Sequence, residues 1–317
     1  MIVRHDGEPD TSSEPSVVAI GVFDGLHRGH QAVLEQLVEL ARTYHALATV
    51  VTFDPPPASV LAPDRAPHLL GTIEQRLEGF ERLGVDQVRV LTFSKELASE
   101  TATDFIDRVL VNELHARCVI VGEDFHFGHH REGTLTTLRA AGNERGFEVV
   151  AAPTHGGDER WSSTSVRRAL ADGDLEHATL VLGHPFTLRG TVVHGDERGG
   201  ELGYPTANLR LPEHQALPAE GVYAGAVDLD DAWWAAAISV GRRPQFYDDG
   251  DLLVEVNLVG YGGNLYDRVL DVVFLSRLRD QATFADESAL SEQIGRDVAQ
   301  TQEIFDVFSK NASKLLR

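Results

Sequence analysis

Two histidines stand close together near the start of the chain, where an apolar run ends. His27 and His30 flank an arginine and Gly29, just after the apolar run 17–23. The run predicts a buried strand, and the apolar spacing that follows predicts a helix over 30–44. A strand end that leads into a helix favours an anion, because backbone N–H groups and the helix dipole point at it. The pattern therefore predicts a phosphate site, and the alternative is a solvated turn with two incidental histidines.

Three further segments place polar groups at strand ends or helix starts of the same half. Residues 52–57 (TFDPPP) and 121–128 (VGEDFHFG) each follow a predicted strand, and residues 161–167 (WSSTSVR) open a helix. Arg167 and a hydroxyl of the last segment could contact phosphate oxygens. Taken singly, the segments could be a stiff proline loop, a glycine-rich turn with aromatic packing and a helix cap. Their convergence on one sheet favours a binding site.

A second group of polar residues lies in the later part of the chain. Thr206 and Asn208, in the segment GYPTAN, offer hard oxygen donors of the kind that Mg²⁺ prefers. Glu255 places a carboxylate inside the apolar strand pattern VEV. Alternation along the strand could equally direct Glu255 to solvent.

The charge balance excludes several classes of function. The formal net charge is −21, which argues against nucleic acid or an anionic membrane as partner. The lysines are Lys95, Lys310 and Lys314, and none lies in a P-loop or in a protein-kinase motif. Any chemistry on ATP must therefore use histidine, arginine, backbone amides and metal.

Cysteine usage and the N-terminal residues indicate the compartment. The single cysteine, Cys118, lies in an apolar run and predicts a buried thiol, so no disulfide forms within the chain. The first 16 residues are polar and acidic, unlike a signal peptide, and no apolar stretch approaches the roughly 18 residues of a membrane span. We expect a soluble cytoplasmic protein, as a monomer or transient homo-oligomer.

Strand and helix patterns alternate in the first half of the chain. This alternation predicts a parallel sheet with right-handed crossovers. The predicted strands are 17–23, 46–53, 85–93, 117–122 and 147–152, and the predicted helices are 30–44, 72–83, 102–114 and 134–145. Two more helical segments follow, at 164–172 and 174–182.

The pattern changes near Gly183-His184-Pro185. From there to about residue 275, short apolar or alternating runs separated by turns predict a small antiparallel barrel or sandwich. A final helix is predicted over 286–315. We therefore expect an α/β domain over 1–183 and a β domain over 184–317.

Eight motifs in order resemble the bacterial bifunctional riboflavin kinase/FAD synthetase (FMN adenylyltransferase) family. They are GVFDGLHRGH, TFDP-P, VGEDFHFG, SSTSVR, LGYPTANL, GVYAG, AISVG and RLRDQATF, and the resemblance covers the chain from about residue 17 to about residue 305. The resemblance implies an α/β, Rossmann-like nucleotidylyltransferase domain. It also implies a C-terminal six-stranded antiparallel β-barrel, the riboflavin kinase domain, with a C-terminal helix.

The activities implied are phosphorylation of riboflavin to FMN and adenylylation of FMN to FAD and pyrophosphate. ATP is the co-substrate of both, Mg²⁺ the cofactor, and the partners are the small molecules riboflavin, FMN, FAD and ATP. The family usually has histidine where this chain has Pro56. One alternative is therefore a riboflavin kinase with weakened or lost adenylyltransferase activity, and another is a flavin- or nucleotide-binding module without turnover.

The resemblance also implies roles for single residues. In the adenylyltransferase half, His27, His30 and Arg167 are catalytic. Residues implied in ATP and phosphate binding there are Gly21, Phe23, Asp24, His27, Gly29, His30, Asp124, Ser163, Thr164 and Arg167. In the kinase half Glu255 is the catalytic base, and Thr206 and Asn208 hold Mg²⁺. Residues implied in ATP and flavin binding there are Gly195, Gly203, Pro205, Thr206, Asn208 and Tyr223.

Overall fold

The computed structural model describes residues 1–8, 14–153, 156, 160–194, 203–242 and 252–310. Contacts divide the chain into two compact units. The first contains Met1–Pro67 and Ile73–Ser162, and the second contains His68–Thr72 and Ser163–Arg317. The helical residues from Ser163 to residue 183 cluster with the second unit and not with the first. The domain boundary at residue 184 therefore stays a prediction.

The first unit is built on a six-stranded sheet in which every pairing is parallel, as predicted. The strand order is β1-β4-β3-β2-β5-β6. The strands are β1 (Ile2–His5), β2 (Ser16–Ile20), β3 (Leu47–Phe53), β4 (Gln87–Leu91), β5 (Ala116–Gly122) and β6 (Glu148–Ala152). The edge strand β1 was not predicted, because four residues among polar neighbours carry no readable period.

Helices cover both faces of this sheet. They are α1 (Arg28–Tyr44), α2 (Pro57–Leu61), α3 (Ile73–Arg82), α4 (Lys95–Ser99), α5 (Ala102–Phe105) and α6 (Leu135–Arg145). A π-helical segment, Ile106–Glu113, continues α5. Along β2, Val17 and Ala19 belong to one buried cluster, and Val18 and Ile20 belong to the other. This burial of both faces explains why the strand reads as an uninterrupted apolar run.

The second unit contains a closed barrel of six antiparallel strands in the order β10-β11-β8-β7-β12-β9. Closure decides between the two predicted forms, barrel and sandwich. The strands are β7 (Thr187–Val193), β8 (Ala207–Arg210), β9 (Gly221–Leu229), β10 (Ala232–Arg242), β11 (Leu252–Leu258) and β12 (Val269–Arg279). The helices are α7 (Ser163–Ala171), α8 (Leu175–Leu182) and α9 (Glu287–Ser309).

Two elements of the second unit differ from the sequence prediction. Strand β8 is four residues long and follows Pro205, so its pattern was not recognised as a strand. The last helix ends at Ser309, and residues 311–317 lie outside the described part of the chain. No helix among the described residues is both long enough and apolar enough to span a membrane.

Candidate active sites

The two histidines of the first motif lie together at the start of α1. His27 is the N-cap, and its Nδ1 accepts a hydrogen bond from the backbone N–H of His30 at 3.3 Å. The backbone oxygen of His27 also accepts from Gln31 N at 3.0 Å. The two imidazole rings stack, with centroids 3.6 Å apart and planes inclined by 21°. The predicted pair is therefore a single structural feature, fixed by the helix cap.

The His30 imidazole lies in surroundings that disfavour charge. The Phe23 ring packs edge-on against it, with centroids 5.2 Å apart, and His30 Nδ1 is buried without a hydrogen-bond partner among the described residues. Burial, and secondly the nearby His27, lower the pKa of His30 well below its usual 6.5. At neutral pH His30 is therefore an uncharged hydrogen-bonding group.

The turn before α1 explains the other residues of the motif. Phe23 adopts a left-handed backbone conformation, with φ of 56°, and its buried ring also packs against Phe80. Asp24 is buried in the 3₁₀ turn Asp24–Leu26. A Cβ on Gly29 would lie 3.1 Å from the His27 ring, and one on Gly21 would lie 3.1 Å from the Phe23 ring. A side chain at either glycine would therefore need the neighbouring ring to shift by a few tenths of an ångström.

Arg76, which the sequence analysis missed, hydrogen-bonds to residues at the ends of β2 and β3. Its side chain is 3% exposed and donates to Val22 O at 2.9 Å, Thr52 Oγ1 at 3.1 Å and Phe53 O at 3.2 Å. Asp54 Oδ1 lies 3.4 Å away. Burial lowers the pKa of the Arg76 guanidinium, and Asp54 opposes that shift. The sequence does contain a sign of this role: Arg76 lies four residues before Phe80, which places a cation on the apolar face of α3.

Asp124, a predicted site residue, and Pro56, where the family usually has histidine, are both engaged in local structure of the first unit. Asp124 Oδ2 accepts from Arg160 at 2.8 Å, and this hydrogen bond lowers the pKa of the Asp124 carboxyl. Pro56 is buried at the N-cap of α2. Neither residue contacts the histidine pair in any described interaction.

The second predicted phosphate segment opens α7, in the second unit. Ser163 is the first residue of α7, and Thr164 is exposed. Arg167 donates from Nε to the carbonyl oxygen of His68 at 2.5 Å, within the same unit. These three residues therefore belong to a different compact unit from His27 and His30.

In the barrel, the predicted kinase residues share one face of neighbouring strands. Asn208 on β8 is paired in register with Glu255 on β11, which is paired with Ser239 on β10. Asn208 is 5% exposed, and its Oδ1 has no hydrogen-bond partner among the described residues. Glu255 is half-buried. The structure thus brings Asn208 and Glu255 together, and Glu255 does not simply face solvent.

Asn257 is a second residue that the sequence analysis missed. It lies two positions after Glu255, on the same face of β11, and its side chain is buried. Its Nδ2 donates to Pro205 O at 2.8 Å. This bond ties the segment that carries Thr206, which is exposed, to the strand that carries Glu255. The sequence could have indicated this position, because Glu255 and Asn257 alternate with apolar residues in VEVNL.

The remaining predicted kinase residues have different positions. Tyr223 is fully buried, donates to Ala219 O at 2.5 Å, and has its pKa raised by burial, so it is part of the barrel packing. Gly203 has a φ of +85°, which favours glycine. Gly195 lies outside the described residues. Within the described ranges, no three His, Cys, Asp or Glu side chains are grouped to hold a metal ion.

Comparisons with known proteins agree with the resemblance. The FAD synthetase family model matches residues 10–165, and the riboflavin kinase family model matches residues 182–305. A bifunctional riboflavin kinase/FMN adenylyltransferase from Pseudomonas fluorescens is 43% identical over 284 residues, which cover 89% of this chain and 91% of that protein. A relative of the same name from Escherichia coli (strain K12) is 40% identical, covering 92% of this chain and 93% of that protein.

One solved structure matches nearly the whole chain. It is described as a macrolide-efflux protein from Streptococcus pneumoniae, is 31% identical with a TM-score of 0.84, and the match covers 95% of this chain and 99% of that one. That structure carries a different name from the sequence relatives, and its similarity to this chain supports the fold. The two family models and the relatives of 43% and 40% identity agree with each other across both halves. The chain therefore belongs to the family of bifunctional riboflavin kinases/FMN adenylyltransferases.

Proposed function

We propose that this protein phosphorylates riboflavin to FMN and then adenylylates FMN to FAD, using ATP in both steps. The carrying observation is that an FAD synthetase model and a riboflavin kinase model match different parts of one chain. The curated relatives are named for both activities. Nothing in the comparisons favours the two alternatives, a kinase with weakened adenylylation or a binding module without turnover.

In the kinase step, Glu255 would act as the general base. A terminal ribityl hydroxyl of riboflavin attacks the γ-phosphorus of ATP, ADP leaves, and the carboxylate takes up the hydroxyl proton. The half-buried position of Glu255 beside Asn208 supports this role. Asn257, through its bond to Pro205 O, would hold the neighbouring Thr206 segment in place.

The residues near Glu255 fit a magnesium ion that is also held by ATP. Asn208 presents a buried Oδ1 without a hydrogen-bond partner among the described residues, and an amide oxygen is a suitable ligand for Mg²⁺. We propose that Asn208 and Thr206 hold the ion together with phosphate oxygens. When bound, Mg²⁺ would neutralise charge on the phosphoryl group being transferred.

The adenylylation step has different requirements. The FMN phosphate is already anionic, so its oxygen attacks the α-phosphorus of ATP without a general base, and pyrophosphate leaves. The protein must position the reactants and stabilise charge. We propose that His27 and His30 donate hydrogen bonds to the phosphate chain at the start of α1. We propose ATP-binding roles for Ser163, Thr164 and Arg167 on the family resemblance alone.

Purified protein given riboflavin, ATP and Mg²⁺ tests the proposal, with flavins separated by chromatography over time. We expect FMN first and FAD later, with neither product when EDTA replaces Mg²⁺. FMN alone would support the weakened-adenylyltransferase alternative, and neither flavin would support the binding module. The reaction uses ATP and small flavins, and we expect it to take place in the cytoplasm.

A further inference from the structure

Arg28, between the two histidines, has an unusual environment for a cation in this chain. Its guanidinium carbon lies 5.6 Å from the centroid of the Trp161 ring, a cation–π arrangement. Among the described residues, no carboxylate and no hydrogen-bond acceptor contacts the guanidinium. Both residues belong to the first unit.

Five other arginines of that unit are paired with acids. The pairs are Arg76 with Asp54, Arg89 with Glu113, Arg108 with Glu100, Arg145 with Asp107 and Arg160 with Asp124. With a formal net charge of −21, acidic partners are abundant. Arg28 differs from these arginines by lying on an aromatic face.

The position of Arg28 on its helix also disfavours a cation. It is the first residue of α1, and the first turn of α1 contains no acidic residue. A cation at a helix N-terminus is repelled by the positive end of the helix dipole. An anion bound at this end would reverse that interaction, since it would be attracted by both the dipole and the guanidinium.

The neighbouring His30 supplies no positive charge at neutral pH, because burial holds its pKa well below 6.5. The cap geometry requires His27 Nδ1 to accept from His30 N at 3.3 Å, so that nitrogen carries no proton. The rings are 3.6 Å apart, a separation at which two imidazolium charges would repel. The buried His30 therefore offers an uncharged hydrogen-bonding group at neutral pH, whereas the triphosphate of ATP is strongly anionic.

We propose that Arg28 is a further catalytic residue of adenylylation, which contacts the phosphate chain of ATP and is positioned by the ring of Trp161. The proposal depends on the function proposed above. In that reaction a bond forms between an FMN phosphate oxygen and the α-phosphorus, and the bond to the bridging oxygen breaks. The electron pair leaves with pyrophosphate, and no proton is transferred. A planar guanidinium suits the growing charge on the leaving group, because it can bind two oxygens at once.

Arg28→Met tests the proposal, since methionine keeps an unbranched side chain against Trp161 and removes the charge. We expect kcat/KM for ATP in FAD formation from FMN to fall about 10- to 100-fold, the range for a lost charged hydrogen bond. Arg28→Lys should recover part of the loss. Arg42→Met, at the exposed far end of the same helix, should match the parent.

Two more measurements separate contact with ATP from a structural role. Riboflavin phosphorylation by the same Arg28→Met protein should stay at the parental rate, and its melting temperature should stay close to that of the parent. Trp161→Leu should raise the KM for ATP in FAD formation, whereas Trp161→Phe, which keeps an aromatic face, should raise it less.

The outcomes distinguish this inference from the proposed function. A parent that makes no FAD from FMN would overturn the adenylyltransferase assignment itself. An active parent together with a folded Arg28→Met protein of parental kcat/KM would overturn only the role of Arg28. Equal losses of kinase and adenylyltransferase activity in Arg28→Met would also overturn it, because they would indicate a structural defect.

Discussion

The two units hold their candidate reactive groups on different parts of their strands. In the parallel sheet, His27 and Phe23 follow β2, and Arg76 ties the ends of β2 and β3 together. In the barrel, Asn208 and Glu255 lie within paired strands. The first arrangement uses backbone amides and a helix start, which suit an anionic nucleophile and a triphosphate. The second fixes a carboxylate in a rigid ladder, which suits a neutral hydroxyl that must lose a proton.

The largest effect is expected from the carboxylate in the barrel. Glu255→Gln keeps the shape of the side chain but cannot take up a proton, so riboflavin phosphorylation should fall about 10²- to 10⁴-fold. Conversion of FMN to FAD should survive at the parental rate. Asp228→Asn, an exposed strand position on β9, serves as the control. FMN formation by Glu255→Gln at the parental rate, with saturating ATP and Mg²⁺, would show that the base is another group.

Removing the buried guanidinium should affect only the first unit. Arg76→Met leaves the Val22 and Phe53 carbonyls without this donor, and we expect the free energy of unfolding to fall by about 2–4 kcal/mol. FAD formation should fall because the strand-end loops lose their common anchor, while riboflavin phosphorylation should persist. Denaturant unfolding and both assays check this, with exposed Arg82→Met as the control. Unchanged stability would contradict the anchoring role.

Loss of the His27 imidazole should reduce FAD formation and leave FMN formation intact, the reverse of the effect of Glu255→Gln. His27→Ala removes the proposed phosphate contact, and FAD formation should lose about 1.5–3 kcal/mol of transition-state stabilisation. FMN formation should stay near normal, since His27 belongs to the first unit. His5→Ala, an exposed histidine at the end of β1, is the matched control. A folded His27→Ala protein that lost both activities equally would argue against separate sites.

The depressed pKa of His30 predicts the sign of a pH effect on stability. In the range between the lowered pKa of the folded state and 6.5, the unfolded chain binds the proton and the folded chain does not. This contribution is full above pH 6.5 and is lost as the pH falls below it, at most about 1.4 kcal/mol per pH unit. Unfolding curves of the parent and of His30→Gln check it. In His30→Gln the free energy of unfolding should change less with pH than in the parent. An unchanged slope would contradict the lowered pKa of His30.

The smallest effect is expected from removing the first half of the chain. We propose that a fragment of residues 184–317 folds and makes FMN at close to the full-length rate. A fragment of residues 163–317 is the control, because α7 and α8 cluster with the barrel. If the longer fragment were active and the shorter one insoluble, the domain boundary would lie before α7, and the predicted boundary would be wrong.

The sequence predicted those features that depend on the spacing of apolar residues along a short segment. The apolar run of β2 and the spacing of α1 placed the histidine pair correctly at a strand-to-helix junction. Strand β8 was missed because its four residues owe their pairing to β7 and β11. Arg76 and Asn257 were missed because their partners, such as Val22 and Pro205, are distant along the chain. Their roles depend on tertiary contacts that no local pattern specifies.

The most direct test of two separate sites is to divide the steps between two proteins. Glu255→Gln alone, given riboflavin, ATP and Mg²⁺, should leave riboflavin unconverted, and His27→Ala alone should accumulate FMN. A mixture of the two folded variants should make FAD after a lag, because FMN from one reaches the adenylylation site of the other. The contradicting result is a mixture that makes no FAD while Glu255→Gln also fails to convert added FMN. That outcome would show that one substitution in the barrel disables both reactions.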